Sequence, residues 1–323
     1  MLNWILRRSL GVVAELLLGL LAVFLGAVFL PNSPLYQAIN TSYLLEFKVT
    51  FHGVYLDSPI FSAFKTFFVD VFTGDWGIST QYAEPVTTYI ASLLPWTLLL
   101  IVPPVILTGV LGSLIGVVLA QMKSKALQSI LNVILVTLNA TPVYVIGTLV
   151  WIFLAYRVRL FPTAGNYSSS MGVSPTLSLS FTLSVLYHYA LPILTLWLST
   201  LPNWALYMRA AVVSGLSEDY LTVAKARGIK GVRLRLTYVA RPSLLPVIAN
   251  VPYTFSTLIS GAVYVEQIFT LRGLGSALYS SLDTRDVSVI LSVFAILVLI
   301  VILGNYVTDI TYSFIDPRIK EMR

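Results

Sequence analysis

Residues 287–308 have the sequence VSVILSVFAILVLIVILGNYVT, which contains no Asp, Glu, Lys or Arg. A helix that crosses the hydrocarbon core of a bilayer, about 30 Å thick, needs about 20 mostly apolar residues. This stretch therefore predicts a membrane-spanning helix over residues 287–313. Five other uncharged runs are long enough for one span each, and they predict helices over residues 10–30, 97–120, 129–156, 185–207 and 243–265.

The whole composition agrees with an all-α polytopic membrane protein that has six transmembrane helices. Of the 323 residues, 57% are apolar and only 11% are charged, whereas typical soluble domains have about 25% charged residues. The first apolar stretch follows Arg7 and Arg8, as in a signal peptide, but it extends from Leu10 to Leu30, beyond the roughly 7–15 residues of a signal core. We therefore expect an uncleaved span.

Several functional classes are excluded by residue types that the chain lacks. There is no Cys and there are only 2 His, which argues against a disulfide framework, a metal site or an iron–sulfur cluster. The phosphate-loop pattern G-x-x-x-x-G-K-[ST] and the hydrolase patterns H-E-x-x-H and G-x-S-x-G are also missing. We expect no catalytic, cofactor-binding or metal-binding residues, so that energy-driven transport would need another protein as its engine.

The positive charge indicates how the chain is oriented. A net charge of +6 could suggest nucleic-acid binding, but with the N-terminus inside, 14 of the 20 Lys and Arg residues fall on the inner side and 6 on the outer side. Positive residues accumulate on the cytoplasmic side of membrane proteins. The distribution predicts that both termini are cytoplasmic and that nucleic acid is not a partner.

Three regions follow from these spans. Residues 1–30 hold the cytoplasmic N-terminal end and the first span, residues 31–92 form an extracytoplasmic segment, and residues 93–323 form a core with five spans and an inner loop at 209–241. Aromatic residues at spacings of three and four predict an amphipathic helix over Ile60–Phe72 on the outer interface. We expect the outer segment to cap helix ends rather than to bind substrate. A second outer loop, 157–183, fits either a contact surface or plain exposure to solvent.

The inner loop contains a short helix whose start is marked. Ser217 can cap the free amides of the first turn, and Glu218 and Asp219 then lie near the positive end of the helix dipole. The loop carries seven basic residues, which could also anchor it to lipid headgroups. Acids and a cap at the start are not needed for such an anchor, so we favour docking to another protein.

The end of this helix is marked as well. Lys225 and Arg227 fall in the last turn, where cations are favoured, and Gly228 suits a left-handed C-terminal cap. The spacing places an aromatic and two smaller residues on one face that could lie in a groove of a partner: Tyr220, Val223 and Ala224.

The spans themselves show packing but little ionisable chemistry. Gly112, Gly116 and Ala120 recur every four residues in the second span, which predicts a face for close helix packing. Glu15, which can pair with Arg8, and Asp309 lie near the inner ends of their spans. They would make a poor proton relay, which argues against a proton-coupled secondary transporter.

The inner loop resembles that of a known family. The sequence Tyr-Leu-Thr-Val-Ala-Lys-Ala-Arg-Gly at 220–228, followed eighteen residues later by Pro246, is similar to the cytoplasmic loop of ABC-importer permease subunits of the dipeptide/oligopeptide/nickel group, with Thr222 where the general permease motif has glutamate. Further stretches resemble the family in order: Gly74-Asp-Trp-Gly-Ile-Ser79, Pro85-Val86, Leu94-Pro-Trp-Thr-Leu98, Phe161-Pro162 with Gly165, Leu191-Pro-Ile-Leu-Thr195, Gly261-Ala-Val-Tyr-Val-Glu266, Gly273-Leu-Gly275, Arg285-Asp286 and Asp316-Pro-Arg-Ile319.

This resemblance implies the ABC type I importer permease fold in a prokaryotic plasma membrane. It implies a second homologous permease, two cytoplasmic ABC ATPase subunits, an extracytoplasmic substrate-binding protein and membrane lipid as partners. The short helix would be the coupling helix that docks on the ATPase, with these contact residues: Ser217, Glu218, Asp219, Tyr220, Val223, Ala224, Lys225, Ala226, Arg227 and Gly228. One departure is that the family usually has Pro-Gly-Asp-Pro after the first span, where this chain has Pro-Asn-Ser-Pro at 31–34.

The chain is therefore predicted to form half of the membrane channel of an ATP-driven importer. The expected cargo is peptides or, as a second choice, oligosaccharides, and nickel chelates stay open as another cargo. Two rival hypotheses are a proton-coupled secondary transporter and a membrane scaffold that does not transport.

Overall fold

The structure is a computed structural model that describes residues 2–28, 60–168, 178–216 and 218–315. Every regular element in these ranges is a helix. The helices are α1 (Leu2–Val28), α2 (Ile60–Thr73), α3 (Val86–Ala120), α4 (Lys125–Ala140), α5 (Val143–Arg157), α6 (Leu179–Gly215), α7 (Asp219–Ala226), α8 (231–248), α9 (Val251–Ile268), α10 (Leu274–Thr284) and α11 (Val287–Ile315). The predicted all-α polytopic class is confirmed.

Four helices of the described part are long and apolar enough to span a membrane, and they contain Leu6–Gly26, Val86–Ala120, Leu179–Gly215 and Val287–Thr311. The whole helices α1, α3, α6 and α11 are longer than the spans predicted for them. An apolar run marks the part of a helix that crosses lipid and does not mark the helix ends. The bent pair α4 and α5 can form a fifth span. The sixth predicted span, 243–265, corresponds to the end of α8 and most of α9, and these helices are not among those that meet the same length and apolarity test.

The prediction of a single helix over residues 129–156 is wrong, because α4 and α5 meet at a bend of 104°. The bend lies at Thr141 and Pro142, whose ψ angles of 124° and 143° are extended. Proline crowds the backbone of the residue before it and drives that residue out of the helical region. Thr141 keeps its hydroxyl satisfied by donating to the carbonyl of Thr137, 2.7 Å away.

The described residues form two compact units. The first unit consists of residues 1–98 and 272–306, and it contains α2, which confirms the predicted helix at Ile60–Phe72, while its place on the outer interface stays a prediction. Phe67 and Val71 of α2 are buried against Leu20 and Phe24 of α1 and against Leu291 of α11. Near the start of the chain, Arg8 Nη1 donates to Glu15 Oε1 at 2.7 Å, so the carboxylate inside α1 has a cationic partner.

The second unit consists of residues 99–271 and 307–323, and it is built on the contact between α3 and α6. A Cβ atom added at Gly116 would lie 2.6 Å from both the carbonyl oxygen of Ala205 and Cβ of Met208, and one at Gly112 would lie 2.9 Å from Cδ1 of Trp204. The predicted small-residue packing face is thereby confirmed. Because backbone atoms block the space at Gly116, the helices cannot accommodate a larger residue without moving apart.

We expect Gly116→Ala to destabilise the protein by about 1–3 kcal/mol, the typical cost of overpacking a tight contact. Thermal unfolding of the detergent-solubilised protein measures this. Gly109→Ala is the matched control on the same helix, because its added Cβ would meet only Trp204 Cζ2 at 3.9 Å. Equal unfolding temperatures for the two variants would contradict the close approach of α3 and α6.

Candidate functional site

The predicted coupling helix is α7, and its inner face is anchored in the second unit. Leu221 is 1% exposed and belongs to a buried cluster that includes Val212 of α6 and Val239 of α8. Ala224, one turn later, is 3% exposed. The helix therefore packs on the bundle instead of extending freely into solvent. Leu221 was missed by the sequence reasoning, although its position one turn before Ala224 could have indicated an apolar inner face.

The start of α7 differs from the prediction. The helix begins at Asp219, and Glu218 occupies the N-cap position with an extended backbone (ψ 140°) and no capping hydrogen bond from its side chain. Ser217, the predicted cap, lies outside the described residues. The amide of Glu218 donates to the carbonyl of Gly215, so a turn closes after α6 and shifts the start by one residue. Glu218 and Asp219 are still at the positive end of the helix, as predicted.

The end of α7 agrees with the prediction. Gly228 has a φ of +79°, the left-handed conformation that only glycine adopts without steric cost. Its amide donates to the carbonyl of Lys225, and the amide of Ile229 donates to the carbonyl of Ala224. This pair of hydrogen bonds is the Schellman motif, which satisfies the carbonyls that a helix end leaves free. The chain direction after α7 is thus fixed by the backbone.

The outer face of α7 presents Tyr220 and Val223, which are 40% and 52% exposed. Ala224 does not share this face, contrary to the prediction, because a helix turns by 100° per residue and the same turn that exposes Val223 directs Ala224 inward. The remaining predicted contact residues are all exposed: Glu218, Asp219, Lys225, Ala226, Arg227 and Gly228.

A second polar site ties the outer turn of the first unit to the start of α11. Asp286 is fully buried, and its Oδ2 accepts hydrogen bonds from Ser79 Oγ (2.5 Å) and from the amide of Gln81 (3.1 Å). Its Oδ1 accepts from the amide of Val289 at 3.3 Å and so caps α11. Asp286 is therefore an internal hydrogen-bond acceptor.

A third polar cluster lies in the second unit, where the loop after α5 meets α6 and α9. Asn166 Nδ2 donates to Tyr189 Oη at 2.9 Å, and the amide of Gly165 donates to the carbonyl of Phe269 at 3.1 Å. Glu266 is only 1% exposed within α9 and interacts electrostatically with Tyr189. The described part of this outer loop is therefore held by specific hydrogen bonds, while residues 169–177 lie outside the described ranges.

The environment of Asp70 in α2 changes the titration of its carboxyl. Burial of Asp70, helped by the negative charge of Asp75, raises its pKa from 3.8 to about 6. Its Oδ2 atom is buried and has no hydrogen-bond partner among the described residues. Asp70 is thus a site where the charged form is disfavoured in the folded protein.

The long apolar helices of the described residues define the class as a multi-pass membrane protein. Residues 112–321 match the family model described as the binding-protein-dependent transport system inner membrane component. That match covers most of the chain, so the protein belongs to this family. It is the membrane-spanning permease subunit of an ABC importer.

Named relatives cover almost the whole chain. It is 29% identical over 321 residues to the dipeptide transport system permease protein DppB of Lactococcus lactis subsp. cremoris, over 99% of this chain and 100% of that protein. It is 29% identical to the glutathione transport system permease protein GsiC of Salmonella typhi and 28% identical to that of Escherichia coli K12, in both cases over 99% of each chain. These names agree with the predicted permease class and give no support to oligosaccharides.

Asp286→Ala should lower the free energy of unfolding by about 1–3 kcal/mol for each donor left unsatisfied, since Ser79, Gln81 and Val289 all lose an acceptor. The measurement is thermal unfolding in detergent. Asp283→Ala is the matched control, because Asp283 is an exposed carboxylate on the neighbouring helix α10. Asp286 would have no such role if both variants unfolded at the same temperature.

Asp70 predicts a pH dependence of stability. Because its pKa of about 6 in the folded protein exceeds the ordinary value of 3.8, the folded state holds the proton more tightly, and stability falls as pH rises from about 4 to about 6. Asp70→Asn should therefore raise the unfolding temperature above pH 6.5 and have no effect below pH 4. Asp75→Asn should shift the same transition to lower pH. An effect of Asp70→Asn that is independent of pH would contradict this assignment.

Proposed function

We propose that this permease forms half of the translocation pathway of an ATP-driven importer of peptides. The other half would be a second, homologous permease, and the cargo would arrive from an extracytoplasmic substrate-binding protein. Two cytoplasmic ABC ATPase subunits would hydrolyse ATP. Peptide cargo is supported by the relatives, whose names refer to a dipeptide and to glutathione.

The observation that carries the coupling role is the two-sided character of α7. One side is rooted in the second unit through Leu221 and Ala224, and the other exposes Tyr220 and Val223. A helix held in this way transmits a push on its outer face to the helices beneath it, because packed interiors resist compression. The buried contacts of Leu221 lead to Val212 of α6, a helix that is long enough to span the membrane.

The mechanism follows from this geometry. ATP binding would bring the two ATPase subunits together, and a cleft in each would carry α7 or its counterpart along. The motion would pass through Leu221 to α6 and α8 and switch the pathway from inward-open to outward-open, as a rigid-body transition. The Schellman end at Gly228 keeps α7 from lengthening or fraying under this load.

Docking of α7 on a cytoplasmic ATPase would determine the orientation of the chain in the membrane. The loop 209–241 must be cytoplasmic, which agrees with the surplus of Lys and Arg on that side and places both termini in the cytoplasm. Residues 31–92 would then be extracytoplasmic, after a first region at 1–30 and before the core at 93–323. The seven basic residues of the inner loop would also contact anionic lipid headgroups.

Val223→Asp and Tyr220→Ala should release the ATPase subunits and abolish ATP-dependent accumulation of a dipeptide in proteoliposomes that contain the complete importer. A buried carboxylate in the cleft would lack a partner, and loss of the tyrosine ring would remove the largest exposed contact of α7. Co-purification of the ATPase and uptake of labelled dipeptide measure the two effects. The unfolding temperature of the isolated permease should not change.

Two controls separate docking from folding. Val69→Asp makes the same substitution at an exposed valine of α2, and the ATPase should remain bound. Leu221→Ala should instead lower the unfolding temperature, at a cost of about 2–5 kcal/mol for a truncated core leucine. The coupling role is wrong if Val223→Asp and Tyr220→Ala keep both the ATPase and uptake. The importer assignment is wrong if the unmodified complex accumulates no dipeptide with ATP.

A further inference from the structure

The exposed face of α9 is polar along its whole length. Its exposed residues recur at spacings of four, three, four and three, which places them in one line along the helix. The opposite face is buried and mainly apolar, with Leu258, Ala262 and Val265 among its residues. We name the exposed line the tyrosine stripe, and it consists of Tyr253, Thr257, Ser260, Tyr264 and Gln267.

The exposed face of α3 in the same unit shows what a lipid-facing surface of this protein looks like. Within residues 99–120 its exposed residues are all aliphatic, and five of them recur every four residues: Val102, Ile106, Val110, Leu114 and Val118. Not one exposed residue of α9 is a Leu, Ile or Val. Hydrocarbon offers no hydrogen bonds, so a line of polar side chains at this depth is expected to face water or protein.

Thr257 and Ser260, in the middle of the stripe, do not show by themselves that the stripe faces water or protein. Thr257 Oγ1 donates to the carbonyl of Tyr253 at 2.9 Å, and Ser260 Oγ donates to that of Ser256 at 3.1 Å. Hydroxyls bonded back to their own helix can face lipid. The Gln267 amide makes no side-chain hydrogen bond within the described residues, and both phenol groups need partners, so the whole line requires a polar environment.

A neighbouring helix widens the same surface. Tyr144 of α5 is exposed, and its ring centroid lies 6.1 Å from that of Tyr264. The two helices pack against each other, and a Cβ added at Gly261 would lie in ordinary contact, 3.6 Å, with Val143 Cγ2. This packing places the two rings side by side.

We infer that the tyrosine stripe, together with Tyr144, is the wall of the water-filled pathway and that it binds the main chain of the peptide cargo. This inference rests on the proposed import of peptides. Each peptide unit offers one neutral donor and one neutral acceptor. The stripe supplies neutral partners of both kinds, from hydroxyl, phenol and amide groups. It carries no charge, so it accepts cargo whose side chains differ in charge.

Single cysteines test the inference directly, because the chain contains none of its own. Thr257→Cys and Ser260→Cys would be assembled into the complete importer, with partner subunits free of accessible cysteines, and treated with a charged, membrane-impermeant methanethiosulfonate. Such a reagent attacks the thiolate, which forms in water and not in hydrocarbon. Both variants should be modified, and turnover with ATP and dipeptide should slow their modification at least about fivefold.

Matched controls define the background. Thr254→Cys carries the same substitution on the buried face of α9, and Val110→Cys lies on the aliphatic face of α3. Neither should react with the charged reagent in the folded importer, and both should react after denaturation in SDS, which exposes the thiols to water.

Three results would overturn the inference. Thr257→Cys and Ser260→Cys that stay unmodified in both the isolated permease and the complete importer, as Val110→Cys does, would place the stripe against lipid. Modification in the isolated permease but not in the complete importer would make the stripe the interface with the second permease. Modification that dipeptide does not slow would leave a wet surface that cargo does not touch. In each of these cases, the proposed function would still hold if the unmodified complex accumulated dipeptide with ATP. If the unmodified complex accumulated no dipeptide, the proposed function would be wrong, independently of the cysteine results.

Discussion

The structure depends on one constraint, which is that polar groups inside a bilayer must find partners without water. It explains why every regular element of the described chain is a helix and why the hydroxyls of Thr141, Thr257 and Ser260 donate to carbonyls one turn earlier. It also makes an exposed polar side chain informative, since such a group needs water or another protein beside it.

Two buried carboxylates show how the same constraint shapes the outer side of the molecule. Asp286 accepts three hydrogen bonds, caps a spanning helix and holds a turn near Ser79, so that one charge organises two segments distant in sequence. Glu266 lies inside α9 close to Tyr189. Neither is arranged like a proton relay through the membrane, which agrees with an ABC importer permease and not with a proton-coupled transporter.

The sequence predicted what depends on composition and local backbone preference. Apolar runs located the four helices that are long and apolar enough to span a membrane, and Gly228 located the end of α7, because glycine adopts the left-handed conformation without steric cost. It did not predict what depends on neighbours distant in the chain. Helical spacing grouped Ala224 with Val223, but only the position of α6 determines that Ala224 and Leu221 face inward. Glu266 and Asp286 stand beside water-facing loops in sequence, and their burial is visible only after the helices have packed.

α9 is the main part of the predicted span at 243–265, and it is not apolar enough to be recognised as a membrane-spanning helix. The same helix has the polar exposed face. A span that faces lipid can keep aliphatic residues on its exposed side, as residues 99–120 of α3 do, and its signal in the sequence is strong. A span that faces a wet pathway must give up aliphatic residues on that side, which lowers its mean hydropathy. The short, Pro-containing α9 loses its signal because Tyr253, Thr257, Ser260, Tyr264 and Gln267 replace the aliphatic residues of a lipid face. For a permease, then, the least obvious span is the first place to look for the pathway.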